Sequence, residues 1–318
     1  MQQRQLGRTG ITISAVLMGT WQAGKSMWTD IDDNEIQRAL RAAVDAGITA
    51  FDTAEVYGKG YSERMIAKAL SDVRDRIVLA TKVFSNHLKY DQIIAACNRS
   101  LKNLNTDYID LYQVHWPPGS FGHPAVPMEE IMRAMLDLKA QGKIRAIGVS
   151  NFNHRQMEEI ARYGPVESLQ SPYSLFWRTI EREEAPYCRE QGLNILAYSS
   201  LAQGLLTGKF TPDHRFAKGD HRVANRLFQP EHSARVQSAL TQLRPIADRY
   251  GVTLGQLALA WVIAQPATCA IAGARNSEPT AQNAAAGDLV LKEEDLQAMA
   301  RIGRTVTDEL DDNPILWK

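Results

Sequence analysis

Three short apolar runs each end in an ionisable side chain. Residues 50–52 close on Asp52, 77–82 on Lys82 and 109–115 on His115. Three further runs end in the polar residues Ser150-Asn151, Gln170 and Tyr198-Ser199, and Tyr57 follows Asp52 by five positions. A carboxylate, an ammonium, an imidazole and a phenol are the parts of a tuned general acid–base system. A phenol alone is a poor proton donor at neutral pH, with a pKa of about 10. A neighbouring ammonium favours phenolate and lowers that value. Lys82 would supply the ammonium, and Asp52 would hold it charged and in place. His115 would then orient a substrate oxygen or pass a proton. Taken singly, each residue has a plainer role. Asp52 could cap a helix, Lys82 could snorkel from a strand end, His115 could be a bonded core histidine, and Tyr57 could pack over a barrel mouth. The set points to chemistry because three successive runs end in the same way.

Those ends converge only if the runs are parallel strands. Eight runs fit: 14–18, 50–52, 77–82, 109–115, 146–150, 168–170, 195–198 and 268–272. Helical patterns lie between them at 34–46, 63–70, 91–104, 128–141, 154–163 and 182–191, then at 231–250, 254–265, 278–286 and 293–304. Alternation of this kind means right-handed parallel crossovers. Eight units predict an α/β fold, a closed (β/α)8 TIM barrel with its site on the C-terminal rim. Asp32 with Glu35 reads as a capping box, and Asn153, Asp91 and Ser62 as helix N-caps. Gly47, Gly142, Gly192 and Gly251 follow helices as C-terminal glycines do. Residues 3–13 read as a hairpin turning at Arg8-Thr9-Gly10 and capping the barrel bottom. Residues 1–318 are expected to form one domain. The connection 203–230 lacks apolar periodicity, and long loops of this kind usually carry function.

Composition narrows the classes. Lys and Arg number 36 and Asp and Glu 36, a net charge of zero, with 44% hydrophobic residues. That balance argues against a nucleic-acid partner and against a polybasic membrane surface. Cys97, Cys188 and Cys269 are too far apart for a CxxC pair, so neither a cysteine metal site nor a disulfide framework is expected. The start MQQRQLGRTG has no apolar core, and the expected location is cytoplasmic. The uncharged stretch 251–274 contains Pro266, and reads as a helix, a turn and a strand rather than a membrane span.

Several motifs bear on identity. FDTAEVYG (51–58), TK (81–82), QVHW (113–116), GVSNF (148–152), LQSPYS (169–174), AYSSLAQGLLTGKF (197–210) and IAGARNSEPTAQNAAA (271–286) occur in this order. The chain thereby resembles the aldo-keto reductases, in the branch of general aldehyde and sugar reductases and potassium-channel β-subunits. The resemblance runs from LGRTG to about Ala286. It implies a (β/α)8 barrel that binds NADPH or NADP+ without a Rossmann domain, with NAD(H) ranked second. Asp52, Tyr57, Lys82 and His115 match the catalytic tetrad. Ser150, Asn151 and Gln170 match the residues that hold the nicotinamide carboxamide, and Tyr198 the ring that stacks on it. Ser199, Leu201, Gln203, Gly204 and Lys209 match the pyrophosphate loop. Gly273, Ala274 and Arg275 match the 2′-phosphate segment, and Gln282 and Asn283 the adenine contacts. Gly19, Thr20 and Trp21 are also assigned to the cofactor. Trp21, Trp28, Trp116 and Trp177 would line an apolar substrate pocket, two of them touching substrate. Trp317 could fold back on the mouth. No metal is implied.

The implied reaction is reduction of an aldehyde or ketone, a small-molecule carbonyl, to the alcohol. Oligomeric state is left open. Three positions depart from the family pattern. Ser200 stands where proline is common, Pro118 where an acid is, and Pro279 where a polar or basic 2′-phosphate contact is.

Three rival readings remain. Residues 19–26, GTWQAGKS, satisfy the GxxxxGK[ST] pattern of a P-loop, but the helix expected at the GKS itself is delayed to Asp32. Lys82 could instead be a Schiff-base nucleophile. The same fold could also act as a cofactor-sensing regulatory subunit. There is no GxGxxG or HExxH pattern.

Overall fold

The computed structural model describes residues 1–310. Trp317 lies outside them. A hairpin opens the chain, with β1 (Gln3–Gln5) antiparallel to β2 (Thr12–Ser14). Eight parallel strands follow: β3 (Val16–Gly19), β4 (Ala50–Asp52), β5 (Val78–Val83), β6 (Ile109–Val114), β7 (Ile144–Ser150), β8 (Ser168–Pro172), β9 (Asn194–Tyr198) and β10 (Thr268–Gly273). Each pairs with the next, and β10 returns to β3, closing the barrel. The helices are α1 (Asp33–Asp45), α2 (Tyr61–Leu70), α3 (Tyr90–Leu104), α4 (Met128–Ala140), α5 (His154–Ala161), α6 (Glu184–Gln191), α7 (Pro230–Tyr250), α8 (Leu254–Ile263), α9 (Ser277–Ala285) and α10 (Glu293–Thr307). This is the expected (β/α)8 TIM barrel.

The two-residue period of a strand builds the interior in layers. Leu17, Ala50, Ala80, Leu111, Ala146, Leu196 and Cys269 form an apolar layer with Leu6, Ile11 and Ile13 of the hairpin. The hairpin therefore plugs the bottom. Two residues further along β4, β5 and β6 stand Asp52, Lys82 and Gln113, all buried. One step of the pleat thus separates an apolar floor from a polar rim.

Local signals decide the helix starts. Asp32 accepts from the Glu35 amide at 2.9 Å, but the Glu35 carboxylate pairs with Arg38, so only half of the expected box forms. Asn153 makes a full box with Gln156. Two expected caps are corrected. Helix α3 starts after Lys89, which leaves Asp91 in its first turn, where a negative charge still suits the helix dipole. Helix α2 starts at Tyr61 after Gly60, at φ 78°, so Ser62 is inside the helix and fully buried. Residues 251–274 fold as the end of a turn, α8 and β10, and no helix among the described residues is long and apolar enough to cross a membrane.

Candidate active site

Asp52 ends β4, and Lys82 points inward near the end of the neighbouring β5. The Lys82 Nζ is fully buried and donates to Asp52 Oδ1 at 2.6 Å and to the Thr53 carbonyl at 2.7 Å. The other carboxylate oxygen accepts from Gln170 at 2.7 Å and from Gln113 at 3.3 Å. Tyr57 enters from the β4–α2 loop, where a close backbone approach holds it. A Cβ on Gly24 would lie 2.6 Å from the Tyr57 carbonyl carbon, so only glycine allows the two loops to meet. Lys82 Nζ sits 5.2 Å from the centre of the Tyr57 ring, and the His115 ring meets that ring edge-on at 5.8 Å. Asp52, Tyr57, Lys82 and His115 therefore converge on one rim.

The electrostatics reverse one expectation. Burial, then the charge of Asp52 and the nearby Tyr198, lifts the Tyr57 pKa well above 10, and the Lys82 ammonium does not offset them. Tyr57 is a neutral phenol. Burial also lowers the Lys82 pKa, opposed by the charges of Asp52 and Glu63. Burial and the Lys82 charge push His115 well below 6.5. The imidazole is thus neutral at pH 7, which suits orienting a carbonyl oxygen better than passing it a proton.

This has a consequence for stability. The folded imidazole binds its proton less readily than the unfolded one, whose pKa is about 6.5. Between those values the unfolded chain holds the extra proton, so the contribution is complete above about pH 6.5 and shrinks as pH falls below it. Tm should fall less between pH 6.5 and 5, both approximate bounds, in His115→Gln than in the parent chain. Equal falls would place the acid sensitivity elsewhere.

Two aromatic groups flank the phenol. Trp21 packs on Trp28 at 5.3 Å and on Tyr57 at 6.3 Å. On the other side Phe84 meets His115 at 5.5 Å and Phe121 at 5.5 Å, and Phe121 meets Trp116 at 5.0 Å. Trp177 lies apart. It is buried against the β8–α6 loop and lines a cavity with Arg304, Thr307 and Leu310, and no member of the Tyr57 cluster borders that cavity. Its contacts are separate from the Tyr57 cluster.

The residues matched to the cofactor occupy the second half of the barrel and the β3 end. Asn151, at φ 61°, donates to the His115 carbonyl and to Ser150 Oγ, each at 3.0 Å, and accepts from the Tyr198 hydroxyl at 2.8 Å. Gly19 and Gly273 are paired strand ends beside Gln22. Ser199, Gln203 and Gly204 take positive φ in the loop through Leu201 that leads to Lys209. The Ser200 hydroxyl donates to the Ala197 carbonyl at 2.7 Å, which closes the turn where proline is common. Ala274 is buried and Arg275 follows it just before α9. Asn283 is buried in α9, whereas Gln282 is exposed and reaches Glu278. Thr20 stands at the β3 end, next to Gly19. Its hydroxyl is buried and donates to the Asp52 carbonyl.

Sequence reasoning missed several neighbours. Gln113 stands two residues before His115 on the same face, and the strand period alone could have found it. His221 and Arg222 belong to the connection 203–230, which offers no periodic signal. His221 packs 4.5 Å from both Trp21 and Trp28. The guanidinium groups of Arg222 and Arg275 both approach the Trp28 indole, at 5.1 and 5.4 Å from its centre. Burial and the charge of Arg222 lower the Arg275 pKa, and burial followed by both arginines lowers that of Lys209. These three cations share one corner of the rim.

The P-loop reading fails on geometry. Trp21–Gly24 is a single 3-10 turn, Lys25 is left-handed at φ 63° and pairs with Asp33 at 2.8 Å, and the helix begins only at Asp33. No glycine-rich cradle opens a helix there.

A closed barrel carries these side chains on its rim, and comparison with known proteins supplies the class, an oxidoreductase. The family model described as "Aldo/keto reductase family" matches residues 15–304. The chain is 41% identical over 287 residues to an aldo-keto reductase of Bacillus subtilis (strain 168), covering 86% of this chain and 85% of that one. It is 33% identical to an NADH-specific methylglyoxal reductase of Escherichia coli (strain K12), covering 96% and 99%. An aldo/keto reductase of Klebsiella pneumoniae, solved in complex with NADP and acetate, is 34% identical, with a TM-score of 0.74 and 93% of each chain covered. The chain belongs to the aldo/keto reductase family.

Proposed function

We propose that this protein is an NADP(H)-dependent reductase of aldehydes and ketones, with Tyr57 as the proton donor. The observation that carries the reading is the meeting of Tyr57 with the buried Lys82–Asp52 pair and a neutral His115 on the rim. The Tyr57 phenol, neutral through burial, gives its proton to the carbonyl oxygen. The Lys82 ammonium, 5.2 Å from the ring centre, stabilises the phenolate left behind. Asp52 keeps that ammonium in position. His115 orients the oxygen by a hydrogen bond. Trp21, Trp28 and Trp116, with Phe84 and Phe121, exclude water from the reacting group.

The rim fits a dinucleotide. Among the described residues ten buried side-chain polar atoms lack a hydrogen-bond partner, and five of the ten are Gln22 Oε1, Trp28 Nε1, His115 Nδ1, Gln203 Nε2 and His221 Nε2. These five belong to the β3–α1 loop, the rim and the 203–230 connection, the elements that would face such a ligand. Ser150, Asn151 and Gln170 would hold the carboxamide and Tyr198 would stack on the ring. Ser199, Leu201, Gln203, Gly204 and Lys209 would wrap the pyrophosphate, Gly273, Ala274 and Arg275 the 2′-phosphate, and Asn283 the adenine side. When bound, the nicotinamide supplies the hydride.

The cation group supports NADP(H) over NAD(H). Guanidinium groups bind phosphate bidentately. Arg222, paired with Asp220 at 2.5 Å, stands close enough to Arg275 to lower its pKa and adds a second guanidinium to that corner. Arg275→Ala should raise the dissociation constant for NADPH by about ten-fold and leave that for NADH within about two-fold. Equal losses for both would remove Arg275 from the 2′-phosphate. The test of the whole reading is NADPH consumption by the pure protein with aldehydes, ketones, quinones and sugars. No turnover with any carbonyl would overturn it.

A further inference from the structure

The active-site rim rests on a buried hydroxyl network that no catalytic assignment uses. Its centre is Ser62, in the first turn of α2, with no exposed surface. Thr53 Oγ1 donates to Ser62 Oγ at 2.9 Å. Ser62 Oγ lies 2.8 Å from both the carbonyl oxygen and the hydroxyl of Thr20, and shares its single proton between them. The Thr20 hydroxyl donates in turn to the Asp52 carbonyl at 2.9 Å. Thr20 and Thr53 are also buried, at 3% and 0% exposure. The network thus ties the ends of β3 and β4 to α2 through three buried hydroxyls.

What this network holds is the seat of the Lys82 ammonium. Lys82 Nζ has two recorded acceptors, the Asp52 carboxylate and the Thr53 carbonyl. Both belong to the dipeptide that the network fixes, one residue by its main-chain oxygen and the other by its side chain. The amide of Ser62 also donates to the Tyr57 carbonyl at 3.2 Å, so one residue grips the loop that carries the phenol as well. The next residue, Glu63, repeats the pattern on β5. Its buried carboxylate accepts from Thr81, the neighbour of Lys82, at 2.8 Å and from Asn103 at 2.9 Å.

We propose that Ser62 is a positioning residue for the reaction: through Thr20 and Thr53 it sets where Asp52 and the Thr53 carbonyl hold Lys82 against the Tyr57 phenol. The proposal rests on the reading of Tyr57 as proton donor. Ser62 touches neither substrate nor cofactor and acts only through these neighbours. Fixing reactive groups to within about half an ångström requires such support, and a shift of about 1 Å is enough to cost about a hundred-fold in rate. The titratable groups that face Lys82 are Asp52 from β4, Tyr57 from the β4–α2 loop, His115 from the end of β6 and Glu63 from α2. Only Asp52 and Tyr57 are held by Ser62.

The test is Ser62→Ala, which removes one oxygen and adds no bulk. We expect kcat for carbonyl reduction to fall by about ten-fold to a hundred-fold, with the NADPH dissociation constant within about two-fold. The alkaline limb of the kcat profile should move to lower pH, because an ammonium with misplaced acceptors gives up its proton more readily. Thr53→Val, which removes the hydroxyl that donates to Ser62, should act the same way, and the double variant should lose no more than the worse single one, since both break one chain. A Ser62→Ala enzyme with lower Tm but unchanged kcat per folded molecule and an unmoved limb would reduce Ser62 to a structural residue and overturn the proposal. The Tyr57→Phe variant separates the two failures. If it keeps its activity, the proton-donor reading itself falls; if it is inactive while Ser62→Ala behaves as the parent, only the positioning role falls.

Discussion

Tyr57→Phe is expected to lower kcat for carbonyl reduction by about three orders of magnitude while NADPH still binds with its original affinity. The substitution removes one oxygen and its proton. The ring contacts with Trp21, at 6.3 Å, and His115, at 5.8 Å, involve atoms that phenylalanine retains. The fold and the aromatic walls should therefore survive, and the loss should fall on the chemical step. No neighbour can replace the donor. His115 is neutral at pH 7, and Lys82 is bound to Asp52 and Thr53 beneath the ring. Steady-state kinetics with a simple aldehyde, alongside fluorescence titration of the cofactor, make the measurement. A variant that retains more than about a tenth of the activity would assign the proton to another group.

The second large effect is on stability. Lys82→Met fills nearly the same space but takes the cation away from a carboxylate that is only 3% exposed. Asp52 would keep the amides of Gln113 and Gln170, at 3.3 and 2.7 Å, and nothing positive. Removing one partner of a buried pair costs about 3–5 kcal/mol, because the remaining charge stays desolvated. Denaturant unfolding should show a loss of that size, together with loss of turnover. Adding Asp52→Asn in the same chain should restore much of the stability and none of the turnover. If the single variant unfolds within about 1 kcal/mol of the parent, the pair is not the buried strut described.

The strand ends were legible because parallel strands covered on both faces read as unbroken apolar runs. Against that background Asp52, Lys82 and His115 stand out, and their order along the chain becomes their order around the rim. Ser62 was legible only as a polar residue at a helix start. Its partners Thr20 and Thr53 lie 42 and 9 positions away, and no periodic pattern encodes such a contact. Arg222 and His221 sit in a loop whose path depends on Trp21 and Trp28. The sign of the Tyr57 shift also needed coordinates. Residue types name a lysine and an aspartate near a phenol, but burial decides which influence prevails.

The closed order of the barrel divides the labour along the chain. The side chains proposed to handle the proton come from residues 52–115, on or just after adjacent strands, and most of those assigned to the dinucleotide come from residues 150–283. On the proposed reading, reactivity and cofactor choice are written largely on separate stretches of sequence. Two amides cross the seam: Asn151 to the carbonyl of His115 at 3.0 Å, and Gln170 to Asp52 at 2.7 Å. Those two positions are where a relative that exchanges one cofactor for another would feel the constraint of the chemistry it keeps.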